Sequence, residues 1–543
     1  MLHILLMLML LLVGCQESDN DADLTPSTPT TPILGRYAIN QGAIPQTSAP
    51  MNVVVHELDD NLKKIGRAYS VQTDSHSQFS LKSIRSRFVE VSVSSNFYNA
   101  LFQGSPQALT LSAIVDLEHD LSPNINLFTT LQSQRLQQLY LTSRSYQQAE
   151  LQSRQELLTL FASTHGEADA FLHINLLSST PYADQLLKST AAFLRISQLD
   201  TISGASVPID VFISKLQQQL ADDGKVDNQA NISNQLIEQE KSLDIKQLKR
   251  DTVYSLITQI ANNVAFWDFS EPENQARIDK KQQFALQEVG VGGSIKRVES
   301  PFLSGYAAEF NGKGKSVLKV PRALLGDLDI NGRTAQFTIF SLIKIADFKK
   351  TFFIAGIWDE GNGPHDDSGT RQYGLFLNMA GTPAVKRVAA HVSSEGGVTR
   401  RADGSGFPWC LDYAVNQHEL AQNEWLSVTF SYDSDYVRVY INGQLDSRAG
   451  ETNRDNYFLY GGPNNTNRGM NPYYHGRGIF KYDPVLHALT KPRGGSDFTV
   501  GGNYALSHPI HHAFTGAMAG LLVFNRALSA DEIANLHHLT QIK

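Results

Sequence analysis

At 543 residues the chain is too long for one hydrophobic core, so several domains are expected. Apolar residues make up 41% and charged residues 18%, the proportions of a folded protein rather than a disordered one. A net charge of -8 with no basic tract argues against nucleic acid as a partner, and two cysteines, Cys15 and Cys410, cannot build a disulfide framework.

Residues Leu2–Val13 form an apolar run shorter than the roughly 20 residues that cross a bilayer as a helix, and read as an export signal. The run closes on Leu12-Val13-Gly14-Cys15, which resembles the bacterial lipobox, where a signal peptide is cut before a lipidated cysteine. The resemblance implies a signal segment over 1–15 and lipid attachment at Cys15, hence a membrane partner reached through the anchor. With Gln16 rather than aspartate following, it further implies an outer-membrane lipoprotein facing either the periplasm or the outside. The departure is an n-region with His3 but no Lys or Arg. An ordinary signal peptide with a chance cysteine is the alternative. Residues 16–50, with Pro26, Pro29 and Pro32 among Thr, Ser and Asp, bury no apolar area and are expected to be a disordered tether.

Over 51–118 the pattern is β: Val53 and Val55, Phe79 and Leu81, then Val89, Val91 and Val93 alternate with polar neighbours. Turn signals at Asp59-Asp60-Asn61 and Thr73-Asp74-Ser75-His76 break the runs, predicting a small Ig-like sandwich that serves as a spacer. Over 119–261 the period becomes helical. Leu127, Leu131 and Leu139 share a face, and Ile209, Phe212, Ile213, Leu216 and Leu220 form a second stripe, as in a helical spacer domain. Asp222 to Asp227 has the look of a calcium loop but places Ala221 and Ala230 where carboxylates are required, so Gly224 reads as a helix C-cap.

From 262 to 543 the chain is predicted all-β, and its strands plus a terminal helix opened by the capping box Ser529-Ala530-Asp531-Glu532 suffice for one independently folding unit. Val428, Phe430 and Tyr432 alternate with Ser427, Thr429 and Ser431, Asp433-Ser434-Asp435 makes a turn, and Asn442-Gly443 has the chemistry of a tight hairpin. The stretch Trp425 to Asp446 resembles the central hairpin of laminin G-like domains in the concanavalin A-like lectin/glucanase superfamily. Gly305 to Gly312 and Phe514 to Ser529 are similar to strands near the start and end of those domains. The resemblance implies a C-terminal jelly-roll sandwich, so the chain as a whole reads as multidomain, with an α-helical region and a small β-sandwich preceding it. Three long polar insertions, 359–372, 394–412 and 451–497, interrupt the strands, and insertions of that length usually carry function.

Glucanases on this fold align carboxylates at period two along one strand, and no such run occurs here. No nucleophile motif is present either, so no catalytic residue is assigned. His508, His511 and His512, and again His537 and His538, are too close in sequence to converge if extended or helical, and read as polar edge residues. Sugar binding calls for flat rings and planar polar groups in a loop-lined cleft. Tyr473, Tyr474, Arg477 and Trp409 are the corresponding candidates; the tyrosines either stack on a ligand or pin their loop, and Trp409, beside Cys410 and Leu411, fits loop packing first. Since laminin G-like domains often hold calcium, Asp359, Asp366 and Asp367 in one Gly-rich loop are candidate Ca2+ ligands, or else a solvated acidic loop. These features point to non-catalytic recognition of a glycan or glycoprotein. A glycoside hydrolase or polysaccharide lyase on the same fold, and a purely structural envelope protein, are the alternatives.

Overall fold

The computed structural model describes residues 36–45, 50–74, 76–95, 98, 101, 109–161, 171–198, 208–290, 294–302, 304–312, 316–363, 365–379, 384–400, 405–407, 410–447, 476–505 and 508–542. Cys15, Trp409, Tyr473 and Tyr474 lie outside them. Among the described residues, no helix is long and apolar enough to cross a membrane.

The N-terminal strands are β1 (Tyr37–Ala43), β2 (Asn52–Leu58), β3 (Lys64–Gln72), β4 (Gln78–Ile84), β5 (Phe88–Ser95) and β6 (Leu109–Asp116). Strands β3, β2, β5 and β6 form one antiparallel sheet, and β1 pairs with β4. Strand β1 falls inside the stretch expected to be tether. Its Ile39 is fully buried, supplying the apolar anchor that the Pro/Thr run upstream lacks. The helices are α1 (Leu127–Ser143), α2 (Tyr146–Leu160), α3 (Pro181–Gln198), α4 (Ile209–Asp223), α5 (Gln229–Lys241) and α6 (Ile245–Thr258). Helix α4 ends at Gly224 in the left-handed conformation, with its N–H bonded to Leu220 O, the C-cap expected from the sequence.

The C-terminal strands are β7 (Asn263–Trp267), β8 (Arg277–Ile278), β9 (Ala285–Val289), β10 (Lys296–Glu299), β11 (Tyr306–Asn311), β12 (Val317–Val320), β13 (Phe337–Ile345), β14 (Phe352–Ile357), β15 (Tyr373–Leu377), β16 (Val388–Val392), β17 (Tyr413–Val415), β18 (Trp425–Tyr432), β19 (Val437–Ile441), β20 (Gln444–Leu445), β21 (Phe498–Val500), β22 (Asn503–Ala505), β23 (His508–His511) and β24 (Thr515–Phe524), followed by helix α7 (Ala530–Gln541). They build a two-sheet antiparallel sandwich. The first sheet runs β10-β11-β24-β13-β18-β19-β20, with β7 also on β24; the second runs β17-β16-β15-β14-β21-β12-β9-β8. Between the sheets Trp267, Phe337, Phe430, Tyr373, Phe498 and Leu521 are fully buried, and Trp267 stacks on Phe498 at 5.9 Å.

Local chemistry sets the turns. Asp433 Oδ1 accepts from the N–H groups of Asp435 and Tyr436, closing the turn between β18 and β19. Asn442 and Gly443 both take positive φ, at 50° and 78°, joining β19 to β20 in the primed turn a twisted hairpin needs. Ser529 and Glu532 form the reciprocal capping box that starts α7.

The sandwich does not stand apart from the helical region. The outward side of the first sheet, through Phe266, Phe340, Leu342, Leu522 and Phe524, shares one continuous apolar core with α6, α7 and the N-terminal sheet. Tyr254 of α6 lies edge-on to Phe266 at 5.1 Å, and its hydroxyl donates to the buried Asp268, which also pairs with Lys280 at 2.7 Å. The helices thus supply part of the apolar core that this sheet face packs into. Strand β13 is buried on both faces, which an alternating pattern does not announce.

Candidate functional site

The three insertions converge at one end of the sandwich. Arg371 N–H donates to Gly396 O at 3.1 Å, Ser393 N–H to Gln372 O at 2.8 Å, and Phe480 N–H to Ser393 O at 2.7 Å, so segments from all three run side by side. Thr370 Oγ1 reaches Gly494 O at 3.3 Å, and Lys491 Nζ donates to Asp367 O. Together they border an open depression of about 680 Å³, lined by Asp366, Glu395, Arg400, Phe480, His487 and Lys491 among others. The lining combines acidic, basic and hydroxyl side chains with the ring of Phe480.

Four of the residues singled out from sequence lie in the described part of these loops. Arg477 places Nη1 3.1 Å from Asp412 Oδ1 and Nη2 3.8 Å from Glu395 Oε1. Its guanidinium therefore clamps one insertion to another at the edge of the depression. Asp359, Asp366 and Asp367 are not gathered into one ligand set. Asp359 accepts from Gly361 N–H at 2.8 Å and faces Arg493 at 3.4 Å, Asp366 accepts from Asn362 Nδ2 at 3.1 Å, and Asp367 pairs with Arg400 and takes Val398 N–H at 3.0 Å.

A different group forms beside them. Trp358, Asp359 and Glu360 directly follow strand β14, and the hairpin β22–β23 runs alongside them, with Asp359 bridged to Tyr504. Glu360 N–H donates to Tyr504 O at 3.0 Å, and Phe353 N–H to His512 O at 2.8 Å. His511 Nδ1 then sits 3.2 Å from Glu360 Oε2, and His512 Nδ1 3.0 Å from Asn503 Oδ1. One ligand atom from each of Glu360, His511 and His512 lies within 4.8 Å of the other two. Burial works against the charge on Glu360, but the hydrogen bond from His511 and the charge of Arg371 outweigh it and hold the carboxyl down, to about 2. Burial, with Glu360 adding to it, pushes its neighbour Asp359 up despite Gly361 N–H and Arg493. Next to them, His391 on β16 stacks on Tyr413 at 4.4 Å and meets Trp358 edge-on at 5.3 Å. Burial drives its pKa down to about 3, and its Nδ1 and the Trp358 indole N–H have no hydrogen-bond partner among the described residues.

No protein-family model matches the chain, and no curated protein matches it in sequence. Solved structures resemble it only loosely. Domain 4 of a GH43 extracellular arabinanase from Geobacillus stearothermophilus, solved with arabinotriose, superposes with a TM-score of 0.27 at 16% identity, over 51% of this chain and 98% of that one. A Trypanosoma rangeli sialidase with sialic acid gives a TM-score of 0.30 at 16% identity, over 51% of this chain but only 33% of the sialidase. TM-scores of this size do not establish a common fold.

The expectation that His511 and His512 diverge is overturned. His512 has φ 49°, so the backbone leaves the extended conformation between the two residues and both rings swing to one side, 3.7 Å apart. Period-two alternation holds only while φ stays negative. The sequence carried a faint signal, because histidine enters the left-handed region several times more often than most residues. The partner Glu360 lies 151 positions away along the chain, and no local pattern connects it to the pair.

Proposed function

We propose that the chain is an outer-membrane lipoprotein, anchored through Cys15, whose sandwich domain recognises a carbohydrate or glycosylated partner without catalysis. The convergence of the three insertions on one open polar depression carries this reading. Sugars present hydroxyl rims and flat apolar faces, and that rim of acidic, basic and aromatic groups is complementary to both. Tyr473 and Tyr474 are three and two positions before Gly476 in the sequence, where the described segment at the depression's edge begins. Removing a stacked ring costs roughly 1–3 kcal/mol, by analogy with bases on aromatic side chains. Tyr473→Ala and Tyr474→Ala are therefore expected to weaken glycan binding by the full chain at least several-fold on a glycan array, with an unchanged melting temperature. Loss of stability without any saccharide binding by the wild type would make the rings loop pins and favour the structural alternative.

The hydrolase alternative keeps one observation in its favour. Asp359 and Glu360 are adjacent carboxyls whose surroundings push them in opposite directions, the electrostatic pattern of an acid and its ionised partner. It requires polysaccharide turnover that Asp359→Asn abolishes, whereas recognition alone requires none. Anchoring is tested separately: Cys15→Ser is expected to shift the protein from the detergent-extracted membrane fraction to the soluble one. Full membrane retention of that variant would remove the lipid from the proposal.

A further inference from the structure

We propose that Glu360, His511 and His512 form a binding site for a divalent transition ion of the zinc class, independent of whether the neighbouring depression binds sugar. Two imidazoles and a carboxylate are the donor set that suits zinc and its first-row neighbours, whereas calcium prefers oxygen ligands alone. Ligand bonds of 2.0–2.2 Å at a tetrahedral angle hold neighbouring donor atoms about 3.3 Å apart. His511 Nδ1 and Glu360 Oε2 already stand at 3.2 Å, and the third donor lies inside the same 4.8 Å cluster.

The surroundings are those of a ligand shell. A metal-bound imidazole almost always gives its other N–H to a carbonyl or carboxylate, which fixes its tautomer. Asn503, fully buried, has its Nδ2 directed at Tyr504 O (3.4 Å), so its Oδ1 faces His512 Nδ1 at 3.0 Å and directs Nε2 as the ligating atom. The two segments that supply the ligands are held together by backbone hydrogen bonds, Glu360 N–H to Tyr504 O and Phe353 N–H to His512 O, so the donors meet without a loop having to close. Glu360 is buried, while the His511 side chain is 30% exposed, which leaves an approach for the ion from that side. Three protein ligands leave a fourth position for water or an incoming oxygen.

The test uses the purified full chain, stripped with chelator and titrated with zinc chloride by calorimetry, with Co2+ as the spectroscopic probe. One equivalent of Zn2+ is expected to bind, Ca2+ in excess is expected not to displace it, and Co2+ is expected to give the visible absorption of a four-coordinate ion. Glu360→Gln and His512→Ala are expected to weaken binding at least tenfold, and Asn503→Ala, which touches no ion, about 10–100-fold. Should a variant fail to fold, the wild type still decides: Zn2+ should protect His511 and His512 from diethyl pyrocarbonate relative to His418, read by peptide mass spectrometry. No stoichiometric Zn2+ binding, or binding that neither variant weakens and that leaves both histidines unprotected, overturns the site and makes the Glu360–His511 contact a buried hydrogen bond only.

Discussion

Expressed without its first 261 residues, the sandwich domain is expected to lose its cooperative unfolding transition and to bind a hydrophobic dye. The full chain should instead melt in a single transition. The reason lies on the outward side of the first sheet. Phe266, Phe340, Leu342, Leu522 and Phe524 are buried there, and α7 covers only part of that surface. The remainder is closed by α6, whose Val253, Leu256 and Ile257 belong to the same apolar core, and by the N-terminal unit beyond it. Fully burying one large apolar side chain is worth about 1.5–3 kcal/mol, so uncovering several costs an amount comparable to a domain's usual margin of about 5–15 kcal/mol. Truncation also strips the Tyr254 hydroxyl from Asp268, which is 1% exposed and would keep only Lys280 as a charged partner. The contiguous exposed surface would exceed what soluble monomers tolerate. Urea melts followed by tryptophan fluorescence, with dye binding at zero urea, check this. A sharp transition and no dye binding by residues 262–543 alone would show that the two sheets suffice.

Acid is expected to destabilise the chain well above the carboxylate range, and His391 is the largest contributor, ahead of His512, which burial depresses to about 4. Its ring is enclosed by Trp358, Phe376 and Tyr413, and the titratable or charged groups facing it are Glu360, Arg371 and His512. Burial dominates and depresses its pKa to about 3, against about 6.5 in an unfolded chain. The sign follows directly. Between those values the unfolded chain takes up a proton that the folded chain refuses, so the contribution is intact above about pH 6.5 and is lost as the pH falls toward the folded value. One such proton is worth up to about 1.4 kcal/mol per pH unit, or roughly 2 kcal/mol between pH 6.5 and pH 4.5. His391→Leu, close in volume and apolar, is expected to remove that much of the acid slope while leaving stability at pH 8 within about 1.5 kcal/mol of the wild type. Urea midpoints across the pH series, with chelator present throughout, give the answer. An unchanged slope in the variant would move the acid sensitivity to other groups.

What the sequence determined by itself was local. Alternation placed β18 and β19, Asn442-Gly443 made a primed turn, Gly224 capped α4, and Ser529 with Glu532 opened α7, because each of these depends on residues within a few positions of one another. The two-sheet sandwich was legible for the same reason, since strand and turn signals recur through 262–543. Three features belonged to tertiary structure alone. Strand β1 exists because Tyr37 and Ile39 find β4 and the N-terminal core, an association that the composition of the tether does not contain. Helix α6 packs on the outward side of the first sheet, and a stripe on a helix does not say what it packs against. The Glu360–His511–His512 cluster required both a reversal of φ at His512 and the pairing of β14 and the residues after it with the β22–β23 hairpin. A side chain's direction follows from its own backbone, but its neighbours across 151 positions follow only from the packing of sheets.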